Sequence, residues 1–248
     1  MSNLVTEQHT LAAGDGSSMH AFVARPTDKG SFPGMLIFQE AFGVNAHIRD
    51  IAQRIAQEGY VAIAPELYHR SAAPGFEVRY DDFPSVLPHM KALTEQGLID
   101  DVRASYGWLR DSNHVAPDRI GSIGFCMGGR VSFLANSAVS LRAAISFYGG
   151  SIAPKLLPRA AHLHGPMLFF WGGLDKHIPQ EQIRSVVDAV KAAGKPYINV
   201  EISDADHGFF CDVRPSYNPV AAKEAWSLSI AFLQAHVKKH DERAMAAG

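Results

Sequence analysis

Residues Gly124, Cys126 and Gly128 set a cysteine between two glycines, at the end of an apolar run and directly before a helix-forming stretch. This is the pattern of a nucleophile elbow, a tight strand-to-helix turn that projects one side chain into open space, with cysteine where serine is more usual. The glycines keep Cβ atoms out of a crowded bend. The first N–H groups of the next helix then point toward the sulfur. Together with the helix dipole they favour a thiolate and, during a reaction, an oxyanion. A thiol with an ordinary pKa of about 8.5 is mostly neutral at pH 7 and needs a base before it attacks a carbonyl. Among 12 histidines, His207 stands apart because it follows an apolar run and precedes Gly208. It can accept the thiol proton and return it to a leaving group. Asp175, just past Gly172 and Gly173, has the right address to orient that imidazole.

Two backbone N–H groups are expected to hold an oxyanion, that of Met127 and one from the turn after the first parallel strand, at Ala41. Each such donor is worth about 3 kcal/mol of barrier. Glu40 has two readings. It is a charge partner for a helix N-terminus, or a carboxylate that accepts the thiol hydrogen at rest and keeps Cys126 neutral and protected from oxidation. Cys211 lacks the glycine context of Cys126 and reads as structural. His162 and His164 alternate on a short segment, but no third metal ligand accompanies them. A phosphate-loop reading of the 124–131 stretch fails because Arg130-Val131 stands where Lys and Ser/Thr would grip phosphate and Mg²⁺. No Gly-x-Gly-x-x-Gly dinucleotide fingerprint is present.

The elements that must carry these residues follow from the apolar periodicity. Residues 4–11 and 19–24 read as a hairpin around Gly14, Asp15 and Gly16. Residues 26–33 read as a loop. Residues 35–38 and 61–64 are fully apolar, as buried parallel strands are. Between them Asn45 can cap a helix with Ile48, Ile51, Ala52 and Ile55 on one face, ended by Gly59. Residues 66–96 are irregular, with Pro74, Gly75, Pro84 and Pro88. Such an excursion in an α/β chain is often functional. A helix over about 99–111 leads to the Cys126 strand. Further strands are expected at 143–148, 167–171 and 197–202, with a helix after Pro179 carrying Ile183, Val186, Val187 and Val190. A last helix presents Trp226, Ile230, Leu233 and Val237 along one stripe. The regular alternation after residue 34 predicts an α/β fold with a mostly parallel central sheet flanked by helices on both faces. Sites in such sheets form at the carboxyl ends of the strands. Glu40, Cys126, Asp175 and His207 all stand just past a predicted strand end.

Length and composition fit one domain over 1–248. Apolar residues make up 47% and charged residues 19% of the chain, ordinary for a globular enzyme. A net charge of −2 points to neither nucleic acid nor a membrane surface. No apolar run has the length of a membrane span, and the first residues lack the basic and apolar regions of a signal peptide. With only two cysteines, a reduced, cytoplasmic setting is the expectation.

The chain resembles the dienelactone hydrolase family from about residue 15 to 235. The carriers are Gln39-Glu40-Ala41-Phe42-Gly43-Val44-Asn45, Ala64-Pro65-Glu66-Leu67-Tyr68, Gly124-Phe125-Cys126-Met127-Gly128-Gly129, Gly172-Gly173-Leu174-Asp175 and His207-Gly208-Phe209. The chain order nucleophile, acid, histidine is also that of α/β-hydrolases. The resemblance implies an α/β-hydrolase fold, a Cys126–Asp175–His207 triad and carboxymethylenebutenolidase-type opening of an enol lactone that bears a carboxylate, in aromatic degradation. It further implies that Glu40 takes part in substrate-triggered activation of the thiol, that no cofactor is needed, and that the partner is a small lactone or ester. A monomer or small homo-oligomer is expected. Thioesterase or broad carboxylesterase activity on the same triad, and a non-catalytic ligand-binding role, are the alternatives. The best-known members hold the substrate carboxylate with arginines, one of them four residues after the histidine. Here that position is Cys211. Arg79, Arg214 and Tyr148 remain as candidate substrate-binding residues, and Arg70 in the same irregular stretch aligns no more securely than Arg79.

Overall fold

The computed structural model describes residues 3–238. Eight strands form one sheet: β1 (Leu4–Ala12), β2 (Ser18–Pro26), β3 (Phe32–Phe38), β4 (Val61–Pro65), β5 (Val115–Phe125), β6 (Ala144–Phe147), β7 (Met167–Gly172) and β8 (Tyr197–Ile202). Their order in space is β1-β2-β4-β3-β5-β6-β7-β8. β1 and β2 form the expected antiparallel hairpin, and β2 runs antiparallel to β4. From β4 to β8 every pairing is parallel. The apolar runs explain this split. β4, β6 and β7 are buried at every position, as strands covered on both faces must be.

Among the described residues six α-helices connect and cover the sheet: α1 (Ala46–Gln57), α2 (Phe83–Ala92), α3 (Glu95–Asp111), α4 (Met127–Ala138), α5 (Gln180–Ala192) and α6 (Pro219–Leu233). Asn45 caps α1 as its sequence suggests, its side chain accepting from the Ile48 N–H at 3.2 Å. Ile48, Ile51, Ala52 and Ile55 are all fully buried on the sheet side of α1. Gly59 takes a positive φ of 84° and ends the helix.

Three expectations change. The 66–96 stretch contains α2. Pro84 is tolerated in the first turn, where an N–H has no helical partner anyway. Pro88 lies inside the helix, which is short and buries only Val86. α3 begins at Glu95 rather than near residue 99, because Thr94 caps it by accepting from the Gly97 N–H at 3.0 Å. In α6 the buried stripe is Ala221, Ala222, Ala225, Ser229, Phe232 and Leu233. Trp226 and Ile230 are only part-buried, and the Arg54 guanidinium covers the Trp226 ring at 4.1 Å. Val237 is buried, though in a π-helical turn over Gln234–Lys238 beyond the helix.

The sheet order has one point where the chain changes direction. From β3 it moves outward to β4 on one side, then returns to place β5 on the other. Phe38 at the end of β3 pairs in register with Gly124 on β5. The segments after these two strands therefore part at a topological switch point, where open α/β sheets leave a crevice. Over that crevice a small buried cluster of Ala41, Phe42 and Val86 joins the β3 loop to α2, separate from the main core. The Gly43–Glu77 bridge straps the intervening loop across. Among the described residues no helix is long and apolar enough to cross a membrane.

Candidate active site

Cys126 joins β5 to α4 with φ 54° and ψ −116°, a conformation that a non-glycine residue adopts at a cost of about 1–3 kcal/mol. The neighbouring chain holds it there. Its N–H donates to the Phe147 carbonyl at 3.0 Å, and the Gly129 N–H donates back to the Cys126 carbonyl at 3.0 Å. Gly124 and Gly128 are required by contact. A Cβ on Gly124 would run into the Gly128 carbonyl, and one on Gly128 into the Phe38 carbonyl of β3. The elbow is thus pressed against the strand that ends in Gln39 and Glu40.

His207 lies after β8 and reaches both partners. Its Nε2 stands 3.1 Å from the Cys126 Sγ and its Nδ1 2.7 Å from the Asp175 Oδ2. Backbone bonds between the segments after β7 and β8 bring Asp175 and His207 together: Gly173 N–H to the Ile202 carbonyl at 2.8 Å and Leu174 N–H to the Ala205 carbonyl at 2.9 Å. Asp175 is buried, and its second oxygen accepts from the His177 N–H at 2.8 Å. Burial alone would raise the Asp175 carboxyl, but the hydrogen bond and charge of His207 hold it below its usual range. Burial likewise would lower the His207 imidazole. The hydrogen bonds to Asp175 and Cys126, with their charges, push it up to about 10 instead.

Ala41 and Met127 both line the cavity beside Cys126. Tyr68, just after β4, ties them together. Its hydroxyl donates to the Ala41 carbonyl at 2.9 Å and lies 3.4 Å from the Met127 sulfur. Gln39 fixes the same corner by accepting from the Leu67 N–H at 3.1 Å.

Glu40 is fully buried. Its Oε1 accepts from the Arg214 Nη1 at 3.2 Å, whereas the Cys126 sulfur is paired with His207. The thiol–Glu40 contact expected at rest is therefore replaced by an Arg214–Glu40 ion pair. Arg214 lines the cavity, its guanidinium 5.9 Å from the Phe42 ring and 5.7 Å from that of Tyr80. Arg79 does not reach the site. Its side chain is 84% exposed and forks onto Asp81, because a carboxylate two residues away on an exposed loop is the nearer partner. Arg70 pairs with Asp15 and Asp101. Tyr148 is fully buried with φ 37°, and its ring packs 5.1 Å from that of His207. It packs against the imidazole and is not among the residues that line the cavity. Burial, with Glu40 nearby, raises its phenol well above the ordinary value.

One group of metal-ligand types occurs among the described residues. Glu40, His47 and Cys211 bring their ligand atoms within 4.8 Å of one another. Arg214 already neutralises Glu40. Burial pulls the His47 imidazole down, and burial with the Glu40 charge pushes the Cys211 thiol up to about 11. The cluster is a packed, largely neutral group behind the site.

The cavity itself measures about 410 Å³. Phe83 and Met90 of α2 roof it, and Ile178 closes another side. Two basic residues absent from the sequence-level candidates border it, Arg130 and His177. Arg130 had a readable signal, since it stands four residues after Cys126 on a helix, on the same face.

The family model for the dienelactone hydrolase family matches residues 19–237. A relative from Synechocystis sp., named as a carboxymethylenebutenolidase, is 36% identical over 229 residues, spanning 88% of this chain and 92% of its own. A Bradyrhizobium sp. relative named as a 2-oxo-3-(5-oxofuran-2-ylidene)propanoate lactonase is 27% identical over 233 residues, covering 90% of this chain and 92% of its own. A crystal structure described as a dienelactone hydrolase from Klebsiella pneumoniae subsp. pneumoniae superposes with a TM-score of 0.84 at 32% identity, over 93% of this chain and 98% of that one.

Proposed function

The chain belongs to the dienelactone hydrolase family and is a hydrolase of ester or lactone bonds; from that premise we propose that it opens a small enol lactone through a Cys126–His207–Asp175 triad and a thioester acyl-enzyme. The observation that carries this reading is the continuous line of contacts at 3.1 and 2.7 Å from sulfur through imidazole to carboxylate, at the wall of a mostly apolar cavity. The lactonase name of the Bradyrhizobium relative supports the substrate class.

The cycle runs in two halves. A charged imidazolium beside the sulfur favours the thiolate, which attacks the carbonyl carbon. The Ala41 and Met127 N–H groups stabilise the resulting oxyanion. Collapse breaks the ring C–O bond. The oxygen leaves as an enolate and takes the proton from His207. Neutral His207 then removes a proton from water as its oxygen attacks the thioester. Cys126 leaves as thiolate, the acid product is released, and His207 is again the imidazolium.

Leaving-group chemistry sets the substrate range. A thiolate is itself easily expelled from the tetrahedral intermediate, so a poor leaving group returns the substrate unchanged. Enol lactones, aryl esters and thioesters are therefore hydrolysed well, and alkyl esters and amides poorly. A hydrolysis panel across these classes, with native protein and Cys126→Ala, tests the reading. The substitution is expected to lower kcat/KM by about 10³-fold or more on every substrate. Full activity in the variant would sink the mechanism. Thioesterase action on the same triad appears in the panel as the highest kcat/KM on acyl thioesters.

A further inference from the structure

Two arginines line the cavity, and they differ in one respect. Arg214 is occupied by Glu40. Arg130 is part-buried on the first turn of α4, and no carboxylate among the described residues pairs with it. The groups that act on it electrostatically are the Cys126 sulfur and the Tyr68 phenol. A guanidinium drawn partly out of water without a partner is costly, and the cost is offset when an anion arrives. Its planar fork matches a carboxylate with two parallel hydrogen bonds. One helical turn separates it from the nucleophile, so an anion held there lies within a small molecule's length of the carbonyl under attack.

The other positions at which a cation was expected differ from it. Cys211 is buried, Arg79 is exposed and forks onto Asp81 outside the cavity lining, and Arg214 lines the cavity with its charge already offset by Glu40.

We propose that Arg130 forms the anion subsite of this cavity, binding a carboxylate on the substrate from the α4 side of the sulfur and setting a preference for acidic lactones or esters. The proposal rests on the reading of the cavity as an ester- or lactone-hydrolysing site.

Two measurements test it, the first without turnover. Iodoacetate and iodoacetamide alkylate a thiol by the same displacement of iodide and differ in charge. The rate ratio of iodoacetate to iodoacetamide at Cys126, located by peptide mass, is expected to exceed that of a small free thiol. In Arg130→Gln that ratio is expected to fall roughly 10-fold, and Arg130→Lys is expected to restore part of it. The second measurement uses two enol lactones with the same ring, one bearing a carboxylate and the other a carboxamide. Arg130→Gln is expected to lower the carboxylate-to-carboxamide ratio of kcat/KM about 30-fold, chiefly through KM.

If both reagents slow equally in Arg130→Gln, the residue tunes the sulfur and the proposal fails. Should that variant not fold, the native protein decides, because an iodoacetate ratio no higher than that of a free thiol overturns the subsite. A clear iodoacetate preference in a protein that hydrolyses none of the panel would leave the anion subsite standing and refute the proposed hydrolysis.

Discussion

At the scale of single residues, the site is three charged or chargeable groups whose states depend on one another. His207 is held up to about 10 by Asp175 and Cys126, against the effect of its own burial. The imidazolium is the proposed proton donor to the leaving oxygen. The alkaline limb of kcat/KM for the native enzyme is therefore expected near pH 10. Asp175→Asn removes the negative charge and the charge-assisted hydrogen bond that favour the imidazolium, so the limb is expected at lower pH. A pH–rate profile of the two proteins on an aryl ester checks this, and an unmoved limb would dissociate Asp175 from the proton donor. Cys126, His207 and Asp175 were legible because each stands just past a strand, where the order of the elements already concentrates polar groups. Arg79 was misleading because position in an irregular segment says nothing of side-chain direction, and Asp81 captures it. Glu40 was found, but its partner was not. Arg214 follows it by 174 residues, and no local spacing connects them.

At the scale of elements, the elbow depends on how closely β5 and α4 approach β3. Gly128 is the contact point, because a Cβ there meets the Phe38 backbone, which cannot step aside as a flexible side chain would. Gly128→Ala is expected to destabilise the fold by about 1–3 kcal/mol, the usual cost of overpacking. It is also expected to lower activity by shifting the Met127 N–H. Thermal unfolding of the variant checks the first effect, and an unchanged midpoint would show that β3 and α4 yield easily. The glycine spacing showed that this turn exists, and the apolar runs gave the strands around it. α2 was hidden by its own composition. Pro84 and Pro88 read as breaks, and only Val86 is buried, so the helix carries almost no periodic signal of its own. The stripe on α6 was misread because its buried face is built from alanines and a serine. The larger Trp226 stays part-buried under Arg54.

At the scale of the whole molecule, the sheet order made the crevice foreseeable and the Asp175–His207 pair makes stability depend on pH. Asp175 has a depressed pKa. Its stabilisation is present above the ordinary value of 3.8 and is lost as pH falls. His207 has a raised pKa. Its stabilisation is fully present below the ordinary value of 6.5 and is lost as pH rises toward about 10. The pair contributes most between those two ordinary values. Urea midpoints of the native protein and Asp175→Asn, measured from pH 3 to 11, are expected to differ most in that window and to converge at both ends. A constant difference would assign the effect to packing. The small cluster of Ala41, Phe42 and Val86 has a consequence of another kind. The roof over the cavity and the residue proposed to grip the oxyanion are held by the same few contacts. A substitution that loosens α2 to admit bulkier substrates also slackens Ala41. Breadth of substrate and speed of turnover are thereby set against each other, and a variant selected for one gives up some of the other.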